Sequence, residues 1–272
     1  MPVQHTIGPD KLARLVGLPG SPAIVDLRSN PSAAIPGSIF RSVETSGWAR
    51  LGHGAVVTVD AEDGGEATAV AALLRSDGVA AEALEGGFAA WLAAELPTVS
   101  LTYLPPRHVD GGTWWVTRAR PKVDRIACPW LIRRFIDPEA RFLFVNAGEV
   151  LSVAADLEAE PFDISDDRVR WSHCGDRCTF DTMLDAFGLA GHEPLARLAA
   201  IVRGADTDRL DAAPEAAGLL AISLGLSRIH ADDHVQLDAG MAVYDALYRW
   251  SRDARSEKHN WSSHQPTRGK VS

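Results

Sequence analysis

Within nine residues, 173–181, the chain gathers His173, Cys174, Asp176, Cys178 and Asp181. Imidazole, thiolate and carboxylate groups ligate metals, so this run is the first candidate for a metal site. Cys174 and Cys178 stand three residues apart, not the two of common zinc knuckles, and Cys128 is the one other cysteine. A four-cysteine zinc site is therefore excluded, and an ion held here takes a mixed or nitrogen–oxygen ligand set. Two further segments offer donors. Asp206 and Asp208 follow an apolar-periodic stretch at 195–202, where the sequence reads as a helix ended by Gly204. His230, His234, Leu237, Met241, Tyr244 and Tyr248 recur at spacings of four and three, so one helix face begins with two imidazoles. Asp233 lies beside that face. The expected ligands are His173, Cys178, Asp181, Asp206, Asp233 and His234, with His230, Asp176 and Asp208 as weaker alternatives. Each histidine taken singly has a plainer reading, as a core group bonded to a carboxylate. The donor set favours iron or manganese, a divalent or trivalent ion, with zinc as a third choice.

A second feature is a local inversion of charge. The chain of 272 residues has a formal net charge of −9, yet residues 118–134 hold six basic side chains and one acidic. Arg118, Arg120, Lys122, Arg125 and Arg133 form the expected anion-binding group. They stand at a strand–helix junction, where guanidinium forks and helix N–H groups can meet an oxyanion. The plainer reading pairs them with the acidic segment 149–185, which holds ten acidic residues and three basic. An acidic chain is not a general nucleic-acid coat, and no recognition-helix motif is evident, so DNA is only a weakly supported partner. The composition does not favour a grip on an anionic membrane, and no apolar run approaches the roughly 18 residues of a spanning helix. Three cysteines and a first segment without the basic-then-apolar order of a signal peptide suggest a cytoplasmic protein.

These residues must be positioned by two units. Residues 1–104 read as alternating short strands and helices. Residues 23–27 and 55–60 are β-branched runs of a buried parallel sheet. Residues 67–78 form a helix ended by Gly78, and a strand, a Gly-Gly turn and another helix follow. Residues 105–113, with Pro105-Pro106 and Gly111-Gly112, read as a linker. Residues 114–250 read as mostly helical α+β with a small sheet. A strand over 113–117 leads to a helix capped by Asp124 that runs to Ile136, and a second strand follows at 140–145. Pro129 must lie early in that helix or kink it. Residues 216–226 read as a buried apolar helix. Residues 251–272 read as a polar, disordered tail, in which His259 and His264 could hold stray metal.

The first unit resembles the rhodanese-like family in VDLR (25–28), IPGS (35–38) and LEGGFAAW (84–91). That resemblance implies a cysteine at the end of the 55–60 strand, cradled by backbone N–H groups. Asp60 stands there instead, followed by a loop carrying Glu62, Asp63 and Glu66. A carboxylate is not a soft nucleophile, so no sulfurtransferase activity is expected, and the unit is read as a stabilising or partner-binding module. The second half resembles the C-terminal domain of the ChrB-type chromate resistance proteins. The matching text runs from residues 117–145 through PFDI (161–164), SHCGDRCTFDTML (172–184) and IVRGADTD (201–208) to residues 214–250. On this resemblance the family's histidine matches His173, and its Cys-Thr-Phe run matches Cys178, Thr179 and Phe180, with Asp181 following. Cys174 is this chain's own variation. The resemblance implies a metal-binding sensor or regulator of the chromate response. A metalloenzyme acting on an oxyanion such as chromate, or in redox chemistry, is the alternative, and an adaptor is the third reading.

Overall fold

The computed structural model describes residues 5–42, 54–61 and 64–257, and the folding units below are those of these residues. The two tail histidines, most of the tail, and Glu62 and Asp63 lie outside them.

The N-terminal half is built on parallel strands. β1 (Thr6–Ile7), α1 (Pro9–Ala13), β2 (Ala23–Asp26), β3 (Ala33–Ala34), β4 (Ser38–Phe40), β5 (Val56–Val59), α2 (Gly65–Ser76), β6 (Ala81–Leu84), α3 (Gly87–Ala93) and β7 (Val99–Ser100) follow in order. The sheet order is β1-β6-β5-β2-β4, parallel throughout, and β3 pairs with β7 antiparallel. Val56, Val57 and Val59 are each at most 1% exposed, as β-branched runs in a covered parallel sheet should be. Asp60 follows β5. Its carboxylate accepts the N–H groups of Gly64 and Ala67, both at 3.1 Å. The N–H groups of this loop are thus turned onto a carboxylate of the chain itself.

The C-terminal half has a three-stranded parallel sheet, β10-β8-β9, made of β8 (Trp114–Arg118), β9 (Arg141–Val145) and β10 (Glu160–Pro161). Between β8 and β9 runs α4 (Asp124–Leu131), continued by a π-helical turn over Ile132–Ile136. Pro129 sits inside α4 and withholds an N–H from it; the wider turn follows one residue after Leu131. Every α4 residue from Ile126 to Leu131 is buried. The helix is therefore a central one, buried all round rather than on the single imperfect face its sequence suggested. Around it lie α5 (Val150–Asp156), α6 (Thr179–Ala186), α7 (Glu193–Asp206), α8 (Ala216–Ile229) and α9 (Asp233–Arg249).

Three expectations are corrected here. Gly204 does not end α7, which continues to Asp206. A Cβ on Gly204 would stand 2.9 Å from the Ala216 Cβ, so the glycine is there to let α8 approach. His230 lies outside α9, as the C-cap of α8, and the buried face of α9 begins at Gln236 and Leu237. The α8 segment is buried along only one face, Ala216, Leu219, Ser223 and Ser227, while Ile222, Leu224 and Ile229 are 48%, 44% and 73% exposed.

Close backbone approach also joins α9 to α4. A Cβ on Gly240 would fall 2.6 Å from the Ile126 Cγ2. Gly240→Val is expected to destabilise the chain by about 3 kcal/mol through overpacking, read as a lowered denaturation midpoint. The residues read as a linker are packed as well. Gly112 lies against the Glu139 carbonyl, where a Cβ would stand 2.1 Å away, and Arg107 donates to the Gly111 carbonyl. One continuous apolar cluster runs from Ile7 in the first half to Tyr248 in the second.

Candidate metal centre

Four segments deliver one imidazole and three carboxylates to one place. A tight turn at Cys174–Arg177, closed by mutual backbone bonds and a left-handed Gly175, ends the segment carrying His173. Asp206 is the last residue of α7, Asp124 the first of α4, and Asp163 follows β10. His173 Nε2 lies 3.1 Å from Asp206 Oδ2, 3.5 Å from Asp163 Oδ1 and 3.6 Å from Asp124 Oδ2. One ligand atom from each of Asp124, His173 and Asp206 falls within 4.8 Å of the others, the geometry of a group able to hold a metal ion.

Asp124 is the most informative member. It is 1% exposed, and it caps not its own helix but the neighbouring one: Oδ2 accepts the N–H of Thr179 at 2.6 Å and of Phe180 at 3.4 Å. This corrects the sequence reading, in which Asp124 capped α4. Its other oxygen, Oδ1, is buried without a hydrogen-bond partner. A buried carboxylate oxygen left unsatisfied is costly, and a bound cation would satisfy it. Burial first, then Asp206 and Asp163, push the Asp124 pKa well up. Burial and Asp163 likewise raise Asp206. Burial alone would raise Asp163, but bonds from His173 and Thr179 and the cations Arg125 and Arg118 bring it below its ordinary value. His173 is raised to about 9, chiefly by Asp163, against a partial opposing effect of desolvation, with Asp124 and Asp206 adding to the rise. Without an ion, protons hold this cluster together.

The surrounding backbone is strained. Arg120, Val123 and Asp163 have φ of 60°, 27° and 52°. For a β-branched residue such as Val123 a positive φ is an outlier, and such strain gathers at functional sites. The 121–123 corner is held from α8 and α9. Ser223 Oγ accepts the Val123 N–H at 3.0 Å, the Tyr244 hydroxyl donates to the Val123 carbonyl at 2.9 Å, and Gln236 Nε2 donates to the Pro121 carbonyl.

The other expected ligands stand elsewhere. Cys178 and Asp181 form the N-terminal box of α6, with Cys178 N–H and Sγ both directed at Asp181 Oδ2. Asp181 Oδ1 is taken by Arg203 at 2.9 Å. Burial, then Asp124 and Asp181, raise the Cys178 pKa, so its thiol stays protonated. Asp233 Oδ1 accepts the Arg120 N–H at 3.0 Å, and the exposed His234 meets the edge of Phe144. Neither belongs to the Asp124–His173–Asp206 group. The carbonyl of His230 accepts from Arg120, Asp176 pairs with Arg209, and Asp208 is exposed at φ 57°.

The basic group divides in the same way. Arg118, Lys122 and Arg125 line an open cavity of about 350 Å³ together with Asp163, His173 and Asp206. Arg118 and Arg125 are fixed there by Asp163 at 3.3 and 3.2 Å. Arg120 instead closes the C-terminal end of α8, donating to the carbonyls of Ser227, His230 and Ala231. Arg133 lies over Phe142 and donates to the Ala140 carbonyl.

A parallel sheet covered by helices, joined to a helical unit that converges carboxylates on one histidine, defines the class. Residues 115–251 match the family model described as ChrB, C-terminal domain, and the chain belongs to that family. Protein ChrB of Cupriavidus metallidurans is 39% identical over 137 residues, 50% of this chain and 40% of the relative's length. In the N-terminal half, a thiosulfate sulfurtransferase from Pseudomonas aeruginosa is 31% identical, covering 36% of this chain and 19% of its own, with a TM-score of 0.31. Among the described residues, no helix is long and apolar enough to cross a membrane.

Proposed function

We propose that the chain is a metal-binding protein of the chromate response, acting as a sensor or regulator, with Asp124, His173 and Asp206 as the ion's ligands. The carrying observation is the buried, unpartnered Asp124 Oδ1 beside an imidazole and a second carboxylate. One nitrogen and hard oxygen donors suit iron or manganese, then zinc, over copper(I). Cys178 and Cys128 are buried and protonated, so soft-metal ligation is not part of this reading. The chromate context rests on the family alone. A second reading, a metalloenzyme acting on an oxyanion, is favoured by Arg118, Lys122 and Arg125 on the same cavity. In either case we infer a cytoplasmic protein whose N-terminal half performs no sulfur transfer and serves as a stabilising or partner-binding unit.

Titration of the chelator-treated protein with Mn²⁺, Fe²⁺ (without oxygen) and Zn²⁺ tests the reading. One ion per chain is expected. Asp206→Asn should weaken binding by about tenfold or more, in the range seen when metal-site partners are removed. Stoichiometric binding of unchanged affinity in both Asp206→Asn and His173→Gln would overturn it.

A further inference from the structure

A second cavity, about 650 Å³, lies where α1 and the turn after it meet the C-terminal ends of α3 and α9. That volume is typical of small-molecule sites, which favour interfaces between units. The cavity is preformed, because the walls are fastened to each other. Gly17, at φ 76°, abuts Phe135 so closely that a Cβ would stand 2.4 Å from the ring. The Gly37 N–H donates to the Phe135 carbonyl at 2.7 Å, and Arg252 reaches the Val16 carbonyl at 3.4 Å.

The walls are apolar and uncharged. Leu15, Leu18, Leu96 and Pro97 supply the accessible surface, and Trp91, Phe135 and Tyr248 stand behind them, each at most 2% exposed. The Trp91 N–H is already used by the Pro97 carbonyl at 2.9 Å. The deep polar feature is the Tyr248 hydroxyl, 3.1 Å from His192 Nε2. Burial lowers the His192 pKa, and Arg252 and Arg197 push the same way, so the imidazole is neutral. The mouth is different. Arg249 and Arg252 share one acid, Asp253, at 2.8 and 3.0 Å. The Arg14 side chain is exposed on the same rim and has no ion pair or hydrogen bond among the described residues. Lining cations outnumber lining acids by three to two.

We propose that this cavity binds a small apolar molecule bearing one carboxylate or sulfonate, its body against the leucine and proline walls and its anion at Arg14. Apolar surface removed from water holds the body. A guanidinium with no acid paired to it gives the anion its partner. The site is independent of the metal centre, and its occupant touches both halves of the chain.

The test uses the full chain and two probes, 1-anilinonaphthalene-8-sulfonate and the uncharged N-phenyl-1-naphthylamine. The expected result is one saturable sulfonate site per chain, lost in Ala13→Trp, which fills the cavity. Arg14→Glu should weaken the sulfonate about tenfold and leave the uncharged probe unchanged. Ile229→Glu, on the exposed face of α8, should alter neither. Equal effects of Arg14→Glu on both probes, or loss of the sulfonate site in Ile229→Glu, would overturn the proposal. So would sulfonate binding that survives in a folded Ala13→Trp. If Ala13→Trp does not fold, the exposed Arg14→Glu variant still decides through the probe pair.

Discussion

Asp124→Asn is expected to raise the melting temperature of the metal-free protein while weakening metal binding about a hundredfold. The wild-type carboxylate is almost wholly buried, with one oxygen unpartnered and Asp206 and Asp163 close enough to push its pKa up. Asparagine has the same shape. Its amide oxygen can still accept the Thr179 and Phe180 N–H groups that Asp124 Oδ2 accepts, so α6 keeps its cap. Its NH₂ would stand beside Asp163 and Asp206 as a donor, free of the burial and repulsion that push the Asp124 carboxyl up. Relief of that repulsion is worth on the order of 1 kcal/mol, which for a chain of this size shifts the melting temperature by about 2–4 °C. Metal affinity should fall by about a hundredfold, because an amide cannot supply the anionic oxygen the ion would take. Asp124→Ala separates the two effects. It also loses metal, but strips the cap from α6 and should lower stability by about 1–2 kcal/mol. Thermal melts in chelator, beside metal titrations, read both quantities. An Asp124→Asn variant that melts lower than wild type in chelator and binds the ion with unchanged affinity would refute the account.

The sheet strands were legible because short β-branched runs between turn residues leave little else for the chain to do. Residues 23–27, 55–60, 113–117 and 140–145 fall within a residue or two of β2, β5, β8 and β9. Periodicity served less well where packing decides burial. Gly204 reads as a stop signal in sequence, yet α7 passes through it because Ala216 of α8 needs the space. That one displacement moves Asp206 from a loop to a helix end, where its direction is fixed. His234 extends the spacing of Leu237 and Tyr244 on paper, but the helix starts at Asp233 and its first turn faces outward.

Of the centre itself, His173 and Asp206 were chosen from residue type and segment, and Asp124 and Asp163 were passed over as ligands. Asp124 was the one acid among six bases, a signal that was present but read locally, as a cap for the helix it begins. An aspartate at a helix start can turn its carboxylate to a different helix only if the chain behind it is bent sharply. Val123 at φ 27° provides that bend, held by Ser223 and Tyr244 about a hundred residues later in the chain. No one-dimensional pattern carries such a constraint. Asp163, between the buried Phe162 and the half-buried Ile164, was the other available signal, an acid inside an apolar run. It joins the two features that sequence treated separately, since it fixes Arg118 and Arg125 on one side and faces His173 on the other. Of the basic group, Arg118 and Arg125 pair with Asp163 of the acidic segment, and that pairing is what brings cations to the rim of the metal centre.

Metal affinity is expected to climb steeply between pH 6 and pH 9, while the metal-free protein loses stability over the same interval. In the metal-free fold His173 is raised to about 9 from an ordinary value near 6.5. A raised group contributes stability that is complete below its unfolded pKa and disappears as pH climbs through the folded one. Asp124 and Asp206, also raised, act in the same sense, since each becomes an additional buried charge as it ionises. The melting temperature in chelator should therefore decline from about pH 6.5 to pH 9. An ion must displace those same protons, so its apparent affinity should grow by about tenfold per pH unit for each proton released. Mn²⁺ should then cancel the decline, and the gap between melts with and without the ion should widen with pH. Calorimetry in buffers of different ionisation enthalpy should record at least one proton leaving per ion bound at pH 7. In His173→Gln the decline should be reduced and proton release should drop by about one. A chelator-treated wild type whose melting temperature is flat from pH 6 to pH 9, with no proton released on binding, would mean that His173 is not the hinge of this site.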